Sequence, residues 1–322
     1  MNTFARRVEL PHCPELCLHA QQWGSEAPSL LLIHGFGDGR YIWNHVLPDI
    51  LHYGSVVTVD LRGHGDSDHG PTSAYATSTH AADVAVVLES FFARNVILVG
   101  HSLGAQVAIH LATSHVQMVR AVVLVDGGPE MDTSMTAHVR RTFASQRWRY
   151  TSIDDYADVL RERLPLAAHS LLQALASHAL CRDDSGGYSL KCDWAMGKEQ
   201  IPDNEELIWN LFRSIRCPCL LVRGEGSAIL SRAAAAKMAE ANPVCCVQSV
   251  PLAGHAVFVD NPDGFLGTLD SFLPRIIDQV KASRDARGYE TNDLLGTGDQ
   301  CREALSPRIT RHRSASASQR FD

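Results

Sequence analysis

The fold of this 322-residue chain is decided by the stretch Val96-Ile97-Leu98-Val99-Gly100-His101-Ser102-Leu103-Gly104-Ala105-Gln106-Val107-Ala108. Four apolar, β-prone residues lead into Gly-x-Ser-x-Gly, and an alanine-rich helical pattern follows. A strand that turns directly into a helix must reverse within a few residues. The residue at the turn is therefore strained, and the flanking glycines leave room for close packing. Ser102 is predicted to project its hydroxyl from this turn as a nucleophile; the alternative is a helix N-cap, a position that serine favours.

Short apolar segments on both sides of this stretch alternate with helical patterns. The predicted strands are residues 6–10, 16–23, 29–33, 56–60, 96–99, 120–125, 219–223 and 245–250, and the predicted helices are 40–51, 75–92, 231–241 and 263–280. This alternation indicates βαβ units. We therefore expect an α/β fold with a mainly parallel central sheet flanked by helices.

The alternation stops between residues 130 and 212, where helical spacing recurs in 153–164 and 169–180. We interpret 130–212 as a helical cap inserted into a core formed by 1–129 and 213–282. Residues 283–322 are polar and irregular, and contain too few apolar side chains to form a core of their own. This composition predicts a disordered C-terminal tail.

Composition excludes several classes of protein. A formal charge of −7 and a pI near 6.1 argue against nucleic-acid binding, which needs a basic face. No run of apolar residues is long enough to span a membrane, and no apolar segment follows Arg6 and Arg7 as in a secretory signal. The nine cysteines are an odd number without regular spacing, and they form no Cys-x-x-Cys pair, which argues against zinc. Their usage favours the reducing cytoplasm.

A serine nucleophile needs a base to accept its proton. His255 is the candidate because it lies between the last predicted strand and the last helix. Loops at the carboxyl ends of parallel strands are where this architecture binds ligands. The alternative is that His255 is a solvent-exposed loop histidine. His101, next to Ser102, is predicted to line the pocket.

The acid that would orient the base has two candidates. Asp126 stands directly after the strand that follows the Ser102 helix, in a glycine-rich loop. Glu225 follows the next strand but lies very close to its end. We prefer Asp126 and keep Glu225 as the alternative.

A developing oxyanion needs backbone donors. The turn His34-Gly35-Phe36-Gly37 follows a predicted strand and can direct the Phe36 amide at the reaction centre. The amide of Leu103, directly after the proposed nucleophile, is the second donor. Gly35 is expected at the pocket beside them.

Together, these motifs resemble the α/β-hydrolase superfamily. The resemblance covers residues 5–280 and rests on His34-Gly35-Phe36-Gly37, Asp60-Leu61-Arg62-Gly63-His64-Gly65-Asp66-Ser67, Gly100-His101-Ser102-Leu103-Gly104 and Gly254-His255. It implies that Ser102 and His255 are nucleophile and base, with an oxyanion hole at the Phe36 and Leu103 amides. The family's usual acid follows the strand at 219–223, where this chain has no aspartate. Some members carry the acid one strand earlier, at the position of Asp126.

We therefore expect a serine hydrolase that cleaves a carboxylic ester, thioester or lactone without a metal or organic cofactor. Its substrate would be a small acyl compound, free or carrier-bound; the oligomeric state stays open. The alternatives are an acyltransferase, a C–C hydrolase or a lyase with the same triad, or a non-catalytic hydrolase-like binding protein. Six cap arginines either bind an anionic acyl group or form a solvated helix face: Arg140, Arg141, Arg147, Arg149, Arg161 and Arg163.

Overall fold

A computed structural model describes residues 3–27, 29–71, 75–91, 95–184, 186–197 and 204–292, with side chains up to residue 278. The strands are β1 (Thr3–Leu10), β2 (Cys13–Trp23), β3 (Leu30–Ile33), β4 (Val56–Val59), β5 (Val96–His101), β6 (Val119–Val125), β7 (Arg149–Tyr150), β8 (Leu180–Arg182), β9 (Tyr188–Leu190), β10 (Cys219–Gly224) and β11 (Cys245–Val250). The α-helices are α1 (Leu47–Ile50), α2 (Thr77–Ser90), α3 (Leu103–Ser114), α4 (Thr133–Ser145), α5 (Ile153–Arg163), α6 (His169–Ala179), α7 (Glu205–Ser214), α8 (Arg232–Ala241), α9 (Val257–Asp260) and α10 (Pro262–Asn292).

The central sheet has eight strands in the order β1-β2-β4-β3-β5-β6-β10-β11. β1 and β2 pair antiparallel, as do β2 and β4, and the other neighbours are parallel. The predicted mainly parallel sheet is confirmed. Because β3 pairs with β4 on one side and β5 on the other, strand order reverses beside β3. Such a switch point opens a crevice at the carboxyl ends of the strands, where ligands bind in this architecture.

Apolar side chains cover both faces of the sheet. Alternate residues of β3 point to opposite sides, so that Leu31 and Ile33 join one core cluster while Leu30 and Leu32 join the other. Helices α2, α3, α7 and α8 cover the first face, and α10 with the segment 40–53 covers the second. Burial on both faces explains why the central strands read as continuous apolar runs.

The inserted segment contains more than the two helices that periodicity predicted. Helix α4 precedes them, and the Asp132 side chain caps it by accepting a hydrogen bond from the Met135 amide at 2.9 Å. A second sheet in the order β7-β9-β8 also lies here. Its strands have only two or three residues each, too few to display an alternating pattern in the sequence.

The C-terminal helix is longer than the sequence predicts. Residues up to Asp278 belong to one compact unit, and the backbone of α10 stays helical to Asn292, past the predicted start of the tail at residue 283. Residues 293–322 lie outside the described part of the chain. Within that described part, no helix combines the length and apolarity needed to cross a membrane.

Candidate active site

The turn between β5 and α3 has the strained geometry that its sequence predicts. Ser102 adopts φ 54° and ψ −112°, in the region that non-glycine residues rarely enter. Its amide bonds the Val125 carbonyl at 3.0 Å, and its side chain does not cap α3. A Cβ at Gly100 would lie 2.1 Å from the Gly104 carbonyl oxygen, so only glycine fits there. The backbone at Ser102 is therefore strained, and the Ser102 hydroxyl does not cap the helix that follows it.

His255 and Asp126 meet at the carboxyl edge of the sheet. The His255 Nδ1 lies 2.8 Å from Asp126 Oδ2. The Asp126 side chain is fully buried, whereas 30% of the His255 side chain is exposed. A carboxylate at Nδ1 makes that nitrogen the donor and leaves Nε2 as the basic atom.

Two further donors hold the Asp126 carboxylate. Oδ1 accepts a hydrogen bond from the Gly224 amide at 3.0 Å, and Oδ2 also accepts one from the Ser227 hydroxyl. Ser227 Oγ in turn accepts from the Ile229 and Leu230 amides at 3.2 and 3.1 Å. Ser227 was not identified from the sequence, although this residue lies in the loop after β10, where α/β hydrolases usually carry the acid of the triad.

Glu225 does not join this group. It is exposed at the end of β10, and within the described residues its side chain forms no hydrogen bond or ion pair. Its backbone amide bonds the Val250 carbonyl at 3.0 Å. Of the two candidate acids, the structure brings Asp126 to His255.

His101 supports His255 through the backbone. The His101 Nε2 donates to the His255 carbonyl at 3.0 Å, and the two rings lie 4.6 Å apart between centroids. Burial and the neighbouring His255 hold the pKa of His101 well below its ordinary value, so its ring is neutral. Only 3% of the residue is exposed. His101 therefore packs against His255 and presents almost no surface to a pocket.

The loop after β3 packs tightly against the Ser102 turn. A Cβ at Gly35 would lie 3.2 Å from Ser102 Cβ and 2.8 Å from His101 Nδ1, so a glycine allows this approach. The amides of Phe36 and Leu103 donate no hydrogen bond within the described residues. They are available as a pair to a developing oxyanion.

Two buried histidines fix this loop. The His34 Nδ1 donates to the Gly35 carbonyl at 2.8 Å, and its Nε2 accepts from the Leu61 amide at 3.0 Å. The His64 Nε2 accepts from the Gly37 amide at 3.1 Å. Burial lowers the pKa of His34 to about 4 and that of His64 well below its ordinary value. Both rings are neutral, which these acceptor roles require.

Side chains of the inserted segment reach the same loop. The rings of Phe36 and Phe143 lie 4.8 Å apart, and the Arg140 guanidinium is 5.1 Å from the Phe36 ring centroid. The Arg163 Nη2 donates to Asp38 Oδ1 at 3.3 Å. Helices α4 and α5 thus contact the loop that carries the Phe36 amide.

One group of candidate metal ligands lies among the described residues: His19, Asp60 and Asp66, with ligand atoms within 4.8 Å of one another. Arg40 donates to His19 Nδ1 at 3.1 Å and to Asp66 Oδ2 at 3.0 Å. Lys191 donates to Asp66 Oδ1 at 2.7 Å. Since cationic side chains already bind these atoms, the group does not fit a metal ion.

The model of the alpha/beta hydrolase family matches residues 30–268. The chain belongs to the α/β hydrolase family. The match includes each residue of the His255–Asp126 contact, the Ser102 turn and the loop that carries Phe36.

Several relatives match over most of their length. A 2-(acetamidomethylene)succinate hydrolase of Mesorhizobium japonicum is 28% identical over 84% of this chain and 95% of its own. An N-formylmaleamate deformylase of Pseudomonas putida is 27% identical over 79% and 92%. The crystal structure of an E-2-(acetamidomethylene)succinate hydrolase superposes with a TM-score of 0.75 at 27% identity, covering 85% of this chain and all of that one.

Proposed function

We infer that this protein is a serine hydrolase that cleaves an acyl bond through a covalent acyl-enzyme. The observation that carries the proposal is the 2.8 Å contact between His255 Nδ1 and the buried Asp126 carboxylate, beside the strained turn of Ser102. A serine hydroxyl is activated by an imidazole that takes its proton and a carboxylate that orients the imidazole, and all three groups are present here.

In this mechanism Ser102 Oγ attacks the substrate carbonyl while His255 Nε2 takes its proton. The Phe36 and Leu103 amides bind the oxyanion of the tetrahedral intermediate. The intermediate collapses, the bond to the leaving group breaks, and His255 returns the proton to that group. Water then attacks the acyl-enzyme by the same steps, which releases the acid and regenerates Ser102.

The bond class includes the ester, thioester or lactone that the sequence predicts. The relatives support adding amides to this class of scissile bond. The names 2-(acetamidomethylene)succinate hydrolase and N-formylmaleamate deformylase both denote enzymes that act on N-acyl compounds. The same names denote substrates that carry carboxylate groups. We propose a small carbonyl substrate of the ester or amide type.

A fluorophosphonate probe tests the proposal because it labels only an activated serine. The native protein and a Ser114→Ala control should be labelled alike, since Ser114 is an exposed serine on α3. Ser102→Ala should abolish labelling, and His255→Ala should slow it by about 100-fold or more. An unlabelled native protein would favour the non-catalytic binding protein instead.

A further inference from the structure

The cap arginines differ in how their charge is used. Arg161, in the last turn of α5, is exposed and bonds Asp158 at 3.5 Å and His169 at 2.7 Å. Arg163, two residues further on, instead donates a hydrogen bond to Asp38 of the loop after β3. A helix C-terminus favours a cation at either position. The helix dipole therefore does not explain why Arg163 pairs with Asp38.

Arg163 is partly exposed, although most of its charged and polar neighbours are buried. Burial acts to lower the pKa of the Arg163 guanidinium, but Asp38, Tyr156, Tyr41 and Cys192 together raise it above its ordinary value. Apart from Asp38, these neighbours are at most 7% exposed. Yet 33% of the Arg163 side chain is accessible to water. A cation with buried neighbours and about a third of its side chain exposed remains accessible to a ligand.

The Arg163–Asp38 pair lies near the proposed triad. Asp38 is three residues beyond Gly35, and its charge interacts with His255. The charge of Arg163 interacts with His101, whose ring packs on His255. The Arg163–Asp38 pair therefore adjoins the loop that would bind the oxyanion.

Most hydrogen-bonding capacity of Arg163 is unused. A guanidinium has five N–H donors. Within the described residues Arg163 makes one hydrogen bond, to Asp38 at 3.3 Å, longer than a charge-assisted bond usually is. Arg62, by contrast, binds Asp83 through two bonds of 2.5 and 2.6 Å with both side chains buried. Arg62 is a structural cation, whereas Arg163 retains donors for a ligand.

We propose that Arg163 binds a free carboxylate on the acyl substrate, with Asp38 holding the guanidinium in position. The planar fork of arginine matches a carboxylate in geometry and charge. This inference rests on the proposed hydrolysis at Ser102 and names its substrate class: small acyl compounds that carry a carboxylate near the scissile carbonyl.

The test uses two esters that differ only at the acyl end, para-nitrophenyl butyrate and mono-para-nitrophenyl succinate. The readout is the ratio of kcat/KM for the succinate to that for the butyrate. Arg163→Gln should lower this ratio by about 10- to 100-fold, and Arg163→Lys should lower it less because the charge remains. Arg161→Gln, the matched control on the same helix, should leave the ratio unchanged.

Asp38→Asn separates a carboxylate site from a purely structural pair. Removing the group that holds the guanidinium in position should lower the ratio, by less than Arg163→Gln does, because the positive charge remains but is no longer oriented. A structural pair would lower both rates together in Asp38→Asn and Arg163→Gln and leave the ratio constant. That result, or an equal effect of Arg161→Gln, would overturn the inference.

Failure of the hydrolase proposal itself can be recognised separately. If the native protein cleaves neither ester, succinate can be tested as a competitor of fluorophosphonate labelling, which needs an active serine but no turnover. If labelling is absent too, calorimetric titration of succinate into the native protein and Arg163→Gln reports on the carboxylate site alone. No difference between the two proteins there would refute the role of Arg163.

Discussion

The Nε2 atom of His64 accepts a hydrogen bond from the Gly37 backbone amide at 3.1 Å. His64 belongs to the turn after β4 and Gly37 to the loop after β3, so the bond joins two neighbouring strand ends. It forms only with a neutral ring, and burial keeps the ring neutral. The Phe36 amide immediately precedes Gly37, so its direction depends on this bond.

His64→Ala should therefore lower kcat more than it changes KM, because a loosened loop no longer places the Phe36 amide at the oxyanion. We expect a loss of about 10-fold or more in kcat, measured with a neutral nitrophenyl ester. His64→Gln retains an acceptor and should recover part of the rate. The exposed His69 serves as control, and a loss in His69→Ala as large as in His64→Ala would contradict this role.

The assignment of the acid predicts opposite behaviour for two substitutions. Asp126→Asn should lower kcat by about 100- to 10,000-fold, because an amide neither selects the His255 tautomer nor stabilises the imidazolium. Glu225→Gln, one strand away and exposed, should retain native kcat. Steady-state hydrolysis of one ester by both variants decides between them. A large loss confined to Glu225→Gln would reverse the assignment.

Removing the Ser227 hydroxyl should cost both stability and rate. Ser227→Ala removes one hydrogen-bond donor from the Asp126 carboxylate. It also removes the acceptor of the Ile229 and Leu230 amides. We expect a decrease of about 1–3 kcal/mol in the free energy of unfolding in urea, with a smaller loss of kcat than in Asp126→Asn. Ser227→Thr retains the hydroxyl and should lie closer to the native protein. Native stability and rate in Ser227→Ala would show that the contact is unimportant.

Buried neutral histidines predict a loss of stability in mild acid. His34 is fully buried with its pKa lowered to about 4, whereas an unfolded histidine titrates near pH 6.5. Between these values the unfolded chain binds the proton and the folded one does not, so stability falls as pH drops from about 6.5 to 4. This group alone accounts for on the order of 3 kcal/mol.

Urea unfolding at a series of pH values measures this dependence. The His34→Gln variant keeps a possible acceptor for the Leu61 amide but has no proton to gain, so its stability should fall less over the same range. Other buried histidines, such as His64, continue to contribute and should preserve part of the slope. An identical slope in both proteins would exclude His34 as a source.

The sequence predicts those parts of the fold that repeat a strong local pattern. The buried strands β3, β5 and β6 appear as apolar runs, and glycine spacing marks the strained turn at Ser102. The small sheet of β7, β8 and β9 has strands too short for a pattern, and the pairing of β7 with β9 joins residues about forty positions apart. Such contacts depend on the tertiary structure and leave no local trace.

The residues of the candidate site likewise differ in how well the sequence predicts them. Ser102 and His255 stand out because motifs surround them, whereas Asp126 could be preferred over Glu225 but not proved from position alone. The choice depends on a contact between residues 126 and 255, which only the folded chain reveals. Ser227 could not be found for the same reason, and the sequence could not single out Arg163 among the six cap arginines. A serine in a loop and an arginine at a helix end are both common, so neither indicates a functional role until its contacts in the folded chain are known.

The contact between Ser227 and Asp126 has an evolutionary consequence. Both side chains reach the same point beside His255 Nδ1, one from the end of β6 and the other from the loop after β10. We therefore expect that a carboxylate at either position can reach the same imidazole. A lineage that gained a carboxylate at position 227 before it lost the one at position 126 would have moved the acid from one strand to the other. Every ancestor in that lineage would have kept an acid beside His255.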